Sequence, residues 1–324
     1  MTVLVTGGAG YIGSHTVRAL RSLGRDVVVL DSLEFGVESA VLDAPLVVGD
    51  VADADLVRKV VADHGVTACV HFAAYKSVGE SMSDPNRYFS NNVTGSQRLI
   101  DALHGAGVEE IVFSSSCSVY GTPADVPVTE DAPLRPESVY AESKRMIESV
   151  LGWYGVCHGL RSVSLRYFNA AGASTDGAIG EDWTYTLNLV PLTMKAILGR
   201  RPPLQVFGTD YPTPDGTAIR DYIHVEDLAS AHIKSLEYLE RGGATTSLNV
   251  GTGVGSSVTQ VIEAAERISG RPVPRTYGER RPGDPVCLYS DNRRVRATLG
   301  WEPEQGLDEI IASAWRWHAA HADG

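Results

Sequence analysis

Two side chains four residues apart, in the run Tyr140-Ala141-Glu142-Ser143-Lys144, set out the chemistry this sequence can do. On a helix that spacing puts a phenol and an ammonium on one face, close enough for the cation to act on the phenol. A free tyrosine, with a pKa of about 10, is a poor base at neutral pH. A neighbouring Lys⁺ stabilises the phenolate and draws its pKa toward neutrality, where a general base works best. Ser116 precedes Tyr140 by 24 residues and closes the triplet Ser114-Ser115-Ser116, directly after the apolar run Glu110-Ile111-Val112-Phe113. At the carboxyl end of a strand its hydroxyl can hydrogen-bond the oxygen that Tyr140 deprotonates. Together the three suit removal of a proton from an alcohol. Taken singly, TyrxxxLys is common on helices and serine runs are common in turns. The catalytic reading rests on their combination with a nucleotide-binding unit upstream.

That unit opens the chain. Val3-Leu4-Val5-Thr6 runs into Gly7-Gly8-Ala9-Gly10-Tyr11-Ile12-Gly13-Ser14-His15, an apolar strand feeding a glycine loop and then a helix. Gly7 takes the tight turn, Gly10 lets the backbone approach a pyrophosphate, and Gly13 allows close packing of helix on strand. The helix aims its free N–H groups at the anion. Eighteen residues past Gly13 a second apolar run, Val27-Val28-Val29-Leu30, stops at Asp31, where a βαβ dinucleotide site places the carboxylate for the adenine ribose. Ser32, Leu33 and Glu34 follow without Arg or Lys, so a 2′-phosphate would meet like charge, and NAD is favoured over NADP. The positive nicotinamide ring adds to Lys144 in stabilising a Tyr140 phenolate.

Continuing along the chain, Leu46-Val47-Val48-Gly49-Asp50-Val51 reads as a third strand whose terminal acid meets the adenine, and a helix from about 53 to 64 is capped by Asp53. Ala68-Cys69-Val70-His71-Phe72-Ala73-Ala74 is a continuous apolar strand of the kind buried on both faces. Asp84-Pro85 begins a long helix to about His104, and the helix of Tyr140 runs to about Tyr154 before the strand 162–169. This alternation predicts an α/β fold, a doubly wound parallel sheet of the Rossmann kind over residues 1–170. From Ala170 glycine and proline become frequent and the alternation is lost, so a smaller mixed α/β substrate lobe is placed at 171–324, with 220–240 returning to pack on the first lobe.

At 324 residues, 43% hydrophobic and 21% charged, the chain has ample apolar surface for two cores. A net charge of −12 and a pI near 5.2 argue against nucleic acid or an anionic membrane as partner. No apolar run reaches membrane length and the start carries no leader pattern, so the cytoplasm is the expected compartment. Cys69, Cys117, Cys157 and Cys287 are widely spaced without CxxC, and the histidines show no metal-binding spacing, so neither metal nor disulfide is expected. His224 has an active-site reading, but a hydrogen-bonded histidine at a strand end is the better one.

The motifs together resemble the UDP-glucose (UDP-galactose) 4-epimerases of the extended short-chain dehydrogenase/reductase superfamily. Beyond the glycine loop and TyrxxxLys, which mark only the superfamily, the resemblance is carried by His71-Phe72-Ala73, Lys76-Ser77-Val78-Gly79-Glu80-Ser81, Asn91-Asn92-Val93, Val119-Tyr120-Gly121, Arg166-Tyr167-Phe168-Asn169 and 216–228, which includes Arg220-Asp221-Tyr222-Ile223-His224-Val225. It implies a tightly held NAD⁺. Tyr140 takes the proton of the sugar 4-hydroxyl while hydride leaves carbon 4, the keto sugar rotates about its bond to the diphosphate, and hydride returns to the other face. Lys144 also holds the nicotinamide ribose and Ser116 guides the proton. The resemblance further implies cofactor contacts from Tyr11, Ile12, Ser32, Asp50, Val51, Phe72, Ala73, Ala74, Lys76, Asn91, Ser114 and Phe168. For the UDP-sugar it implies Lys76, Asn169, Asn188, Leu189, Phe207, Arg220, Tyr222, Arg281, Asp284 and Leu288. Two guanidinium forks can neutralise a diphosphate that an acidic protein would otherwise repel. A homodimer through two helices of the first lobe is also implied.

Three positions depart from the family pattern. Ser32, Phe35 and Gly36 stand where asparagine and serine are usual, Cys117-Ser118 replaces Ala-Thr, and Leu288 replaces a bulky tyrosine that in some members walls off the sugar 2-substituent. The smaller leucine leads us to expect that UDP-N-acetylglucosamine is accepted as well. Among rivals, a 4,6-dehydratase needs an Asp-Glu pair that Cys117 and Ser118 do not supply. A UDP-glucuronate 4-epimerase or decarboxylase needs one extra group for the carboxylate. A non-catalytic NAD-sensing regulator would be expected to have lost Tyr140 or Lys144.

Overall fold

A computed structural model of the chain describes residues 2–182, 186–281 and 283–322. The first half alternates as expected: β1 (Thr2–Thr6), α1 (Tyr11–Ser22), β2 (Asp26–Asp31), β3 (Leu46–Val48), α2 (Ala54–His64) and β4 (Val66–His71). After two short helices, α3 (Val78–Ser83) and α4 (Pro85–Tyr88), come α5 (Ser96–Gly105), β5 (Glu110–Ser114), α6 (Val139–His158) and β6 (Arg161–Tyr167). Among the described residues seven strands, including the later β10 (Thr246–Val250), form an all-parallel sheet in the order β10-β6-β5-β4-β1-β2-β3. The order reverses between β1 and β4, and a ligand crevice opens beyond the carboxyl ends of the strands at such a switch point. Valine and leucine dominate these strands because both faces are covered. Val3, Val5, Val27 and Val29 face one apolar layer, and Leu4, Val28, Leu30 and Cys69 face the other.

Local signals place the helices. Asp53 caps α2 by accepting from the amides of Asp55 and Leu56, and Ser138 caps α6 by accepting from Ala141, each cap contributing about 1 kcal/mol. The α6 cap decides where the helix begins, and so puts Tyr140 and Lys144 in its first two turns. The helix continues to His158, past the expected end at Tyr154. The long helix expected from Pro85 to His104 is a helical run, but Phe89–Gly95 is wound as a π-helix. A widened turn of this kind is frequent at functional sites, and here it carries Asn91 and Asn92.

The second half contributes β7 (Asn169–Ala171), α7 (Leu189–Ile197), β8 (Leu204–Phe207), β9 (Ile219–His224), α8 (Val225–Glu240), β10 (Thr246–Val250), β11 (Gly255–Ser257), α9 (Val258–Ser269), β12 (Arg275–Gly278), β13 (Cys287–Leu288), α10 (Arg293–Leu299) and α11 (Leu307–Ala320). β9 pairs with β7, β11 and β13, and β8 pairs with β12. A separate apolar core joins α7, α9 and α11 through Val190, Met194, Val261, Ile262, Ile310 and Ile311. The returning segment is longer than residues 220–240: Leu228, Ala231 and Leu236 of α8 pack against the first core, and β10 closes the large sheet beside β6. The helix of the expected returning segment is thus accompanied by a strand, β10, that belongs to the same sheet. They return because the open edge of β6 needs a partner for its backbone groups.

Candidate active site

Beyond the switch point lies one cavity of about 1550 Å³. Sites for a single small ligand run to about 1,000 Å³, so this volume suits two ligands together. Its floor at one end is the glycine loop. Gly7 has φ +71°, and a Cβ there would lie 2.6 Å from the amide nitrogen of Ala73, so only glycine lets the loop lie against the end of β4. A Cβ at Gly13 would collide with the carbonyl of Gly7. α1 has no side-chain cap at Gly10 and no acid in its first turn, which leaves its amides open to an anion. Asp31 is held by one amide on each carboxylate oxygen, Ala9 and Leu33, both at 2.9 Å, so the carboxylate faces the cavity in a set orientation. Asp50 is fixed the same way by the amide of Ala52. This loop, free helix end and oriented carboxylate fit an adenine dinucleotide: Gly10 and the α1 amides would hold its pyrophosphate and Asp31 its ribose.

Of the cofactor residues expected from sequence, Gly7, Gly10, Tyr11, Ile12, Gly13, Asp31, Ser32, Asp50, Val51, Phe72, Ala73, Ala74, Lys76, Asn91, Ser114, Tyr140, Lys144 and Phe168 all line this cavity. Of the sugar-nucleotide residues, Ser116, Asn169, Asn188, Arg220, Asp284 and Leu288 do. Four stand off it. Tyr222 and Leu189 are packed in the core of the second lobe, because β9 and α7 turn those positions inward. Phe207 and Arg281 sit behind Asp284: the guanidinium lies 4.9 Å from the Phe207 ring centroid and 2.7 Å from the Asp284 carboxylate. Asp284 also lies 3.5 Å from Arg220 and so stands between two guanidiniums. Pro282, in the same motif, lies outside the described residues. His224 is a buried cap of α8, accepting from the Glu226 amide and bonded to Ser313.

The catalytic candidates meet on one wall. Lys144 is 2% exposed and donates to the carbonyl of Ser114 at 2.8 Å, with its ammonium 5.9 Å from the Tyr140 ring centroid. Ser116 accepts from the amide and hydroxyl of Ser118, at 3.2 and 2.9 Å, which leaves its own proton for the Tyr140 phenol. The LysSerValGlyGluSer motif positions this helix: Ser81 accepts from the Tyr140 amide at 3.2 Å. Asn92 of the π-helical turn reaches Ser143 at 3.1 Å and both backbone groups of Tyr75.

Burial sets the electrostatics. It pushes the Tyr140 phenol well above its ordinary value, opposed by the Ser116 hydrogen bond, and pulls Lys144 down to about 7, opposed by Glu148. The expectation that Lys144 and the nicotinamide charge act together on the phenol therefore depends on the second of the two. In the free protein desolvation wins, and the positive charge of a bound nicotinamide is needed as well. Burial also pushes the Cys117 thiol up to about 12, so the thiol beside Ser116 stays protonated.

Several cavity groups escaped the sequence reading. Arg87, on α4 and far along the chain from the glycine loop, pairs with Glu34 at 2.6 Å and lies 4.4 Å from the Tyr75 ring, while Phe35 packs edge-on against Tyr75. A cation thus does stand near the ribose end, but Glu34 and Glu80 occupy it. No local spacing announces this group, since each member comes from a different element. Glu148, four residues after Lys144, was legible as the next turn of the same face.

Residues 3–251 match the family model described as "NAD dependent epimerase/dehydratase family". A UDP-glucose 4-epimerase of Azospirillum brasilense is 49% identical over 317 residues, 97% of this chain and 91% of that protein. The crystal structure of a UDP-glucose 4-epimerase from Brucella ovis in complex with NAD superposes with a TM-score of 0.95 at 43% identity, covering 97% of both chains. The UDP-Glc/GlcNAc 4-epimerase of Campylobacter jejuni has a TM-score of 0.87 at 37% identity, covering 98% of this chain and 99% of that one.

Proposed function

The chain belongs to the NAD dependent epimerase/dehydratase family, and from that premise we propose that it interconverts UDP-glucose and UDP-galactose by transient oxidation at sugar carbon 4. The observation that carries this reading is the meeting of Ser116, Tyr140 and Lys144 on one wall of a cavity with a dinucleotide loop at one end and Arg220 at the other. Bound NAD⁺ supplies a hydride acceptor that gives the hydrogen back within the same turnover. The phenolic oxygen of Tyr140 takes the proton of the sugar 4-hydroxyl and later returns it. Ser116 hydrogen-bonds that oxygen, and Lys144 supplies the positive charge that favours the phenolate. Arg220 holds the diphosphate, with Asp284, itself backed by Arg281, keeping that guanidinium in place until it arrives. Because the grip is on the diphosphate, the hexose is free to present either face.

The test is incubation of the purified protein with UDP-galactose, without added NAD, followed by separation of the UDP-hexoses. UDP-glucose should accumulate to an equilibrium mixture, and denaturation should release a dinucleotide. Absence of both results overturns the reading.

One observation favours a second substrate pair. Leu288, on the cavity wall beside Phe168 and Val119, leaves space where a tyrosine would project, which supports turnover of UDP-N-acetylglucosamine and its galactosamine epimer. Leu288→Tyr should remove that activity and keep the UDP-galactose one. The outward face of α6, with Met146, Trp153 and Val156 exposed, supports a homodimer through the first lobe, which sedimentation would test. No helix of the described residues is long and apolar enough to cross a membrane. The cytoplasm is the compartment we propose.

A further inference from the structure

α6 carries a third polar group on the catalytic face. Tyr140, Lys144 and Glu148 follow one another at intervals of four, and Glu148 is buried beneath the site with 8% of its side chain exposed. Four contacts fix its carboxylate. The Ser115 hydroxyl donates to it at 2.5 Å, and Arg166 grips it through Nε at 3.0 and 3.2 Å and through a terminal nitrogen at 2.6 Å. Arg166, 7% exposed, is itself held by the Tyr120 hydroxyl at 3.0 Å. Ser115 lies between Ser114, whose carbonyl accepts from Lys144, and Ser116, which serves the phenol. One carboxylate on the helix of the base therefore ties down the strand end that bears the other two partners.

We propose that Glu148 is a positioning residue of this active site, which clamps the serine triplet to α6 through Ser115 and keeps Lys144 charged beside Tyr140. The proposal rests on the epimerase reading for its consequence in turnover, but not for its geometry.

The surroundings leave Glu148 as the group that opposes loss of charge on Lys144. Facing Lys144 and Tyr140 from β4 is His71, which burial holds neutral, with a pKa lowered to about 3. From β5 come the Phe113 ring, 4.9 Å from the ammonium, and the Ser114 carbonyl, and from β6 Tyr167, whose phenol burial raises. Tyr88 and Cys117, both held in their protonated form by burial, complete the shell around Tyr140. Against these uncharged groups, the Glu148 carboxylate is the opposing influence on a Lys144 that burial draws toward the neutral amine.

Two variants test this. Glu148→Gln keeps the hydrogen bond to Ser115 but removes the charge, and Glu148→Gln with Arg166→Met also relieves the uncompensated guanidinium that the single variant leaves buried. Two readouts are followed against pH: kcat and KM for UDP-galactose, and the ultraviolet phenolate absorbance of the holoprotein, with Tyr140→Phe as reference. In Glu148→Gln the phenolate should appear about one pH unit higher, because Lys144 holds its proton less well. At neutral pH kcat should fall about tenfold with KM within about twofold. The double variant should regain thermal stability but keep the shifted phenolate titration. An unshifted phenolate titration in Glu148→Gln, or its return to normal in the double variant, would overturn the proposal by showing that Glu148 serves only to neutralise Arg166. If the unaltered protein turns over no UDP-galactose, the epimerase reading fails and the phenolate titration still decides the role of Glu148.

Discussion

Lys76, on the loop after β4, lies 3.6 Å from Glu181 of the second lobe. The two line the same cavity, so this ion pair joins the cofactor side to the sugar-nucleotide side across the space between them. Glu181 is almost fully buried and also accepts from Thr186 at 2.8 Å.

Burial raises the Glu181 pKa, with Lys76 and Thr186 opposing, so its ionised form costs the fold stability at neutral pH. A carboxyl whose folded pKa is raised stabilises most below its unfolded value and loses that contribution as pH rises through the folded one. Glu181→Gln should therefore have a higher thermal midpoint than the parent at pH 7, with the gain shrinking as pH falls toward the unfolded glutamate value of about 4.3. Calorimetry at three pH values checks the sign, and a lower midpoint at pH 7 would mean that the Lys76 pair outweighs the burial.

Tyr140→Phe removes the phenolic oxygen and leaves the ring packed. Turnover of UDP-galactose should fall by roughly 10² or more, the scale of a general base, with the thermal midpoint and dinucleotide content unchanged. Steady-state rates and the absorbance of denatured protein measure both, and near-normal turnover would place the proton acceptor elsewhere.

Arg220→Ala should weaken UDP-sugar binding while sparing the chemical step. KM is expected to rise roughly 10- to 100-fold, the scale of a hydrogen bond to a charged group, with kcat within a few-fold. Loss of kcat with KM unchanged would remove Arg220 from the diphosphate.

Acid should unfold the protein through its buried histidines. Burial lowers His15, His224 and His232 to about 4 and His71 and His318 to about 3. Each is held neutral in the fold and takes up a proton on unfolding, so the stability it contributes is complete above its unfolded pKa of about 6.5 and drains away as pH falls toward 4. Urea midpoints should fall steeply below about pH 6. A flat profile down to pH 5 would contradict the burial of these rings.

Local order was legible because it depends on neighbours in the chain. The spacing of Gly7, Gly10 and Gly13, the acid at the end of β2, the Asp53 cap and the TyrxxxLys face each need only a few consecutive residues to be recognised. From them follow the dinucleotide loop, the parallel sheet and the candidates for the proton-handling groups. Boundaries were less legible where the helix changes its winding, as at Phe89–Gly95, since apolar spacing there is compatible with more than one helical period.

What the fold alone decided are relations between distant segments. Whether β9 turns Tyr222 into a core or a cavity depends on its partners β7, β11 and β13. That Arg87 stands against Glu34, that Glu148 meets Arg166 and Ser115, and that β10 completes the first sheet follow from packing of elements far apart in the chain. Charge and burial at the site belong to the same class. Tyr140 beside Lys144 promises an activated phenol on paper, but the pKa depends on how much water the closed structure removes, and that is a property of the assembled cavity rather than of any stretch of residues.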